Sequence, residues 1–85
     1  MTAAISAADT AFESHRTLLF GVAYRMLGTI GEAEDAVQES YLRYRSAEAA
    51  IANSRAYLVT VVTRICLDVL KSARVQREQY IGQWL

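Results

Sequence analysis

The decisive stretch is residues 55–77, RAYLVTVVTRICLDVLKSARVQR. Every residue of its 59–63 segment, VTVVT, is β-branched, and such side chains taken singly favour a pleated strand. The longer window has another period. Leu58, Val61, Val62, Ile65, Val69 and Ala73 recur at helical spacing and make one apolar stripe. A strand this long would need a turn, and no turn signal interrupts the stretch. It is read as a helix, with Asn53 or Ser54 standing where a capping side chain belongs.

Working towards the N-terminus, residues 31–46 form a second helix that turns Ala33, Val37, Tyr41 and Tyr44 inward. A first helix is expected to begin near Thr10, because Thr10 and Glu13 have the spacing of a capping box. Its core face carries Phe12, Leu19, Val22, Ala23 and Met26, and Gly28 is placed to end it. The segment 47–53 reads as a loop, although its alanines also suit a helix. The expected fold is an all-α bundle of three main helices, with room for a short fourth helix in that loop.

Composition agrees. Eighty-five residues make one domain at most, and 53% hydrophobic content is too apolar for a disordered tail. With no proline and four glycines, the chain is too unbroken for a many-turned β fold. Arg64 and Asp68 interrupt the longest apolar span, so no transmembrane segment is expected, and the N-terminus lacks the pattern of a secretory signal. Cys66 and His15 are each the only residue of their kind. An internal disulfide is therefore impossible, a zinc site or other cofactor is not expected, and a cytoplasmic location is the default.

Net charge is zero, but its distribution is uneven. Residues 1–53 carry seven acids and four bases, whereas residues 54–85 carry five bases and two acids. Such a split suggests two partners of opposite character without identifying them.

Two outward faces follow. On the second helix Asp35, Gln38, Glu39 and Leu42 fall at i, i+3, i+4 and i+7. A leucine amid acids is either incidental or an anchor for a docked partner. On the third helix Tyr57, Thr60, Arg64 and Lys71 line one ridge. An aromatic ring, a hydroxyl and two cations can grip a single strand, the ring stacking on bases and the cations neutralising phosphates. The same pattern also suits an ordinary solvated face. Nothing reads as an active site: His15 has no nucleophile or metal partner, Cys66 suits a small core position, and the carboxylates of the second helix are spread around it.

The order of motifs resembles a known family. GEAEDAVQESYLRYR (31–45) resembles the AEDxVQExFLR signature of region 2.2 in extracytoplasmic-function σ factors. NSRAYLVTVVTRICLDVLKSARVQRE (53–78) is similar to their NPRAWLxxIAxNxALDxLRxxRR helix of regions 2.3 and 2.4. FESHRTLLFGVAYRMLG (12–28) is similar to region 2.1, with Phe12 and Tyr24 at its usual aromatic positions. TVVTRICLD followed by SARVQREQYIGQWL resembles the J-type branch, whose members continue through a WLPEP-like linker into a σ4 domain and a domain like nuclear transport factor 2. On this resemblance residues 1–79 make a σ2 domain and residues 80–85 begin the linker, with Tyr80, Ile81, Trp84 and Leu85 expected to pack against later parts.

What the resemblance implies is specific. Asp35, Gln38, Glu39 and Leu42, with Arg43 at the edge, correspond to the surface that docks on the β′ clamp helices of core RNA polymerase. The loop at 50–53, including Asn53, with Tyr57, Thr60 and Arg64 corresponds to the pocket that reads a base flipped from the non-template strand of the promoter −10 element. Arg55, Lys71, Arg74 and Arg77 correspond to phosphate contacts. Many family members have asparagine where Arg64 stands; a guanidinium only donates, so the preferred base differs or Arg64 contacts phosphate. The implied role is transcription initiation without enzymatic activity of its own. The rival readings are a helical adaptor that binds no DNA and a helix-turn-helix domain that reads duplex.

Overall fold

The computed structural model describes residues 7–47 and 50–84, with side chains described for 9–47 and 50–79. Three helices follow one another: α1 (Ala7–Leu27), α2 (Ile30–Ala47) and α3 (Ser54–Trp84). Each packs against the other two, and no strand occurs among the described residues. The fold is the expected all-α bundle. The segment that could hold a short fourth helix includes residues 48 and 49, which lie outside the described residues; Ala50 has 3-10 geometry.

The core draws on all three helices. Phe12, Leu19 and Ala23 come from α1, Ala33, Ala36, Val37 and Tyr44 from α2, and Leu58, Val62, Ile65 and Cys66 from α3. Val59, Val61 and the ring of Tyr57 pack around this centre. The β-branched run is thus helical because burial of Leu58, Val62 and Ile65 outweighs propensity differences of a few tenths of a kcal/mol per residue. The buried face of α2 is lined by small side chains, Ala33, Ala36 and Ser40, which let its neighbours approach closely. Ser40 is fully buried and donates its hydroxyl to Val37 O at 2.7 Å, so burial leaves it satisfied.

The boundaries differ from the sequence reading at both ends. Thr10 lies inside α1 rather than at its cap, and Glu13 pairs with Arg16 at 2.9 Å instead of closing a box. The threonine cap stands at α2, where Thr29 Oγ1 accepts the Glu32 backbone N–H at 3.2 Å and donates to Glu32 Oε1 at 3.0 Å. Gly28 ends α1 as expected: its φ is 86°, and its N–H reaches Tyr24 O at 2.8 Å in a left-handed cap. At the other end α3 continues to Trp84, past the point where the apolar pattern fades. No proline interrupts the intrahelical ladder there. The packing expected of Tyr80, Ile81, Trp84 and Leu85 concerns side chains outside the described residues.

α3 outreaches its partners. The radius of gyration is 15.8 Å, against roughly 12 Å for a compact chain of this length. Val69 and Ala73, expected in the core stripe, lie instead at the exposed edge of the α2–α3 contact beside Glu32, and Leu67, Leu70 and Val75 are exposed as well. Tyr41 and Val61 are half-buried rather than central.

Candidate functional site

The outward face of α2 is available. Asp35, Gln38, Glu39, Leu42 and Arg43 are all exposed, and Leu42 keeps 51% of its surface in solvent. Glu39 and Arg43 form an i,i+4 ion pair at 3.2 Å, which contributes only a few tenths of a kcal/mol at such exposure. Its main effect is to orient both groups beside Leu42.

Sequence reasoning missed what lies next to this face. A groove of about 580 Å³ runs between α1 and α2, with Asp35, Gln38 and Glu34 on one wall and Arg16, Thr17 and Phe20 on the other. Arg16 and Gln38 also line a smaller recess with Asp9, Phe12, Glu13 and Tyr41, farther along the same helix pair. The Arg16 guanidinium lies 5.4 Å from the centroid of Phe12. No one-dimensional signal marks such a groove, because each helix supplies only one wall.

The third helix carries the other face. Thr60, Arg64 and Lys71 are exposed and Tyr57 is half-buried; on an ideal helix these four fall within about 60° of arc. Among the described residues neither Arg64 nor Lys71 is held in an ion pair, which leaves both cations available to an anion. The remaining cations do not share this ridge. Arg55 and Arg77 lie about 160° around the helix from Tyr57 on the same ideal geometry. Arg55 instead lines a shallow recess of about 320 Å³ with Asn53, Ala56 and Val59. Arg74 pairs with Glu78 at 3.1 Å on the exposed surface.

Asn53 has a structural task of its own. Its Oδ1 accepts the Ala56 N–H at 2.9 Å, and its carbonyl accepts the Tyr57 N–H at 3.0 Å, so it is the N-cap of α3. The amide nitrogen is not used by that cap. Ser54 meets the hydroxyl of Tyr44 at 2.6 Å, and the Tyr57 ring lies tilted against Tyr44 with centroids 6.0 Å apart. Elsewhere, Cys66 is fully buried, and that burial pushes its thiol up from the ordinary 9.0. His15 is half-buried. Among the described residues no three potential metal ligands gather, and no helix is long and apolar enough to cross a membrane.

The family model described as Sigma-70 region 2 matches residues 11–75. The chain belongs to the sigma-70 region 2 family. Within the sigma factors it falls in the extracytoplasmic-function group, on the J-like branch. It is 53% identical over 74 residues to the ECF RNA polymerase sigma factor SigJ of Mycobacterium tuberculosis H37Rv, an alignment covering 87% of this chain and 24% of that protein. It is 44% identical over 79 residues to the probable ECF RNA polymerase sigma factor SigI of the CDC 1551 strain, covering 89% and 27%. The chain therefore spans about a quarter of the length of these curated relatives. No solved structure gives a significant match. As sigma region 2 the chain is a transcription factor segment, not an enzyme. The matched span takes in every residue singled out on α2 and most of those on α3, while Arg77 lies beyond it.

Proposed function

We propose that this sigma region 2 joins core RNA polymerase to an opened promoter in the cytoplasm, using α2 for the enzyme and α3 for the DNA. On this reading Asp35, Gln38, Glu39, Leu42 and Arg43 dock on the β′ clamp helices. Carboxylates and an amide suit a basic surface, and Leu42 supplies the apolar contact that a charged rim lacks. The non-template strand of the −10 element lies along α3. Tyr57 stacks on an unstacked base, Thr60 offers a hydroxyl, and Arg64 and Lys71 neutralise phosphates. Arg55, Arg74 and Arg77 would hold flanking phosphates, and Asn53 would present its amide nitrogen while its oxygen caps the helix. Melting is then driven by binding, since the open strand is the form the ridge prefers.

The observation that carries the reading is the exposure of two chemically opposite ridges on different helices of one small bundle. Had both been packed inward, neither partner could reach them.

The test uses the chain together with core polymerase. Leu42→Asp, or charge reversal at Asp35 and Glu39, should weaken its capture by a β′ clamp-helix fragment by more than about tenfold. In the polymerase complex a single non-template strand should bind better than the matching duplex. Replacing Arg64 or Lys71 should reduce the slope of log affinity against log salt by about 0.7 for each phosphate that is no longer neutralised. Equal or duplex-preferring affinity removes the −10 assignment, and retention of polymerase binding by the α2 variants removes the docking assignment.

A further inference from the structure

We propose that Tyr44 and Ser54 are positioning residues that hold Tyr57 and the start of α3 ready to receive an unstacked base. The inference rests on the −10 reading above and names the device that makes that site work.

The Tyr44 hydroxyl and Ser54 Oγ are 2.6 Å apart, and either can donate. Their bond joins the last turns of α2 to the first residue of α3, ten positions later in the chain. It therefore ties together the two ends of the connection that the base pocket would use. Asn53, the preceding residue, caps α3 through Ala56. Ile51 is half-buried and packs against the core, so the connection is held at Ser54, at Asn53 and at Ile51.

Tyr44 also supports the stacking ring. It is 4% exposed, and Tyr57 rests against it at 6.0 Å with 51° between the ring planes. A half-buried ring braced by a neighbour loses less freedom when a base stacks on it than a mobile ring would. One turn of α2 thus has two duties. Leu42 and Arg43 face outward, towards the proposed polymerase contact, while Tyr44 faces inward and sets the strand contact.

The experiment compares two fluorescent probes on the chain bound to core polymerase: a pool of random single-stranded dodecamers and an abasic dodecamer of equal charge. Stacking needs a base, so the affinity ratio between the probes reads the contacts to bases, those of Tyr57 and Asn53, and is insensitive to phosphate contacts; the Tyr57→Ala background separates the ring's share. Tyr44→Phe and Ser54→Ala should each lower that ratio by about threefold to tenfold, the range for one net hydrogen bond. Ser54→Thr keeps the hydroxyl and should retain the ratio. In a Tyr57→Ala background, Tyr44→Phe should add no further loss. Polymerase affinity should be the same for every variant.

Three results would overturn the proposal, and they are distinguishable. If Tyr57→Ala lowers the ratio but Tyr44→Phe and Ser54→Ala do not, the positioning role fails and the −10 reading stands. If Tyr44→Phe adds its full loss to that of Tyr57→Ala, the hydroxyl pair acts through stability alone. If the unmodified chain does not discriminate the two probes, the −10 reading fails and takes this inference with it.

Discussion

Tyr41 on α2 donates its phenolic proton to Asp9 Oδ1 on α1 at 2.6 Å, across 32 positions of sequence. The same phenolic oxygen accepts Arg45 Nη1 at 3.2 Å, and the Phe12 ring packs on the Tyr41 ring at 4.9 Å. Tyr41 therefore clasps the N-terminal part of α1 to α2 from the rim of the core, with its polar tip at the surface. Tyr41→Phe keeps the ring packing and removes the clasp. Unfolding free energy should fall by about 1 kcal/mol, as for one net hydrogen bond. Urea denaturation followed by circular dichroism measures it, and an unchanged midpoint would show that the bond adds nothing to stability.

Asn53 allows its capping and proposed base-reading roles to be separated. Asn53→Ala removes the Oδ1 that accepts the Ala56 N–H, which should cost about 1 kcal/mol of stability. Asn53→Asp keeps an acceptor at that place but loses the amide donor. It should therefore melt near the unmodified chain while binding the single strand more weakly in the polymerase complex. Equal DNA affinity for Asn53→Asp and the unmodified chain would mean that the asparagine only caps.

Leu58 and Val69 lie on the same predicted stripe, yet the fold treats them differently. Leu58 is fully buried in the core, whereas Val69 lies at the edge of the α2–α3 contact beside Glu32, Asp35 and Ala36 and is 36% exposed. Leu58→Ala should cost about 2–5 kcal/mol through lost burial and a residual cavity. Val69→Ala should cost about 1 kcal/mol or less, because its methyl groups are only partly covered and their loss leaves no enclosed cavity. Chemical denaturation of the two variants decides, and similar losses would place Val69 in a contact with the core.

Cys66 should be silent to thiol reagents in the folded chain. Burial disfavours its thiolate and raises its ionisation above the ordinary 9.0. In the unfolded chain the same thiol ionises in its usual range. Ionisation of Cys66 therefore leaves stability untouched below that range and erodes it as pH climbs past about 9. Alkylation should be slow in buffer and fast in denaturant, and Cys66→Ala should flatten the alkaline decline. Rapid modification without denaturant would contradict the burial.

Much of the site was legible because it is local. Asp35, Gln38, Glu39 and Leu42 share a face by spacing alone, as do Tyr57, Thr60, Arg64 and Lys71, and both faces are on the outside. Gly28 was equally readable, since ending α1 required a residue tolerant of φ near 86°. The capping threonine was not. Thr10 and Thr29 each precede a glutamate by three residues, and spacing cannot say which one stands at a helix start. The ridge of Tyr57, Thr60, Arg64 and Lys71, by contrast, was readable, since Arg55 and Arg77 fall round the helix from it by spacing alone.

Three amphipathic helices, their order and their two oppositely charged outer faces are written in the residue periodicity, because a helix reports its own faces through intervals of three and four. Coverage was another matter. α1 has 21 residues and α2 has 18, while α3 has 31, so among the described residues α3 is less covered after Cys66, and Leu67, Val69, Leu70 and Val75 are exposed. The groove beside Asp35, the burial of Ser40 and the Tyr44–Ser54 bond likewise exist only between helices. Burial is a property of a residue and its neighbours together, and neighbours distant in the chain are chosen when the helices pack.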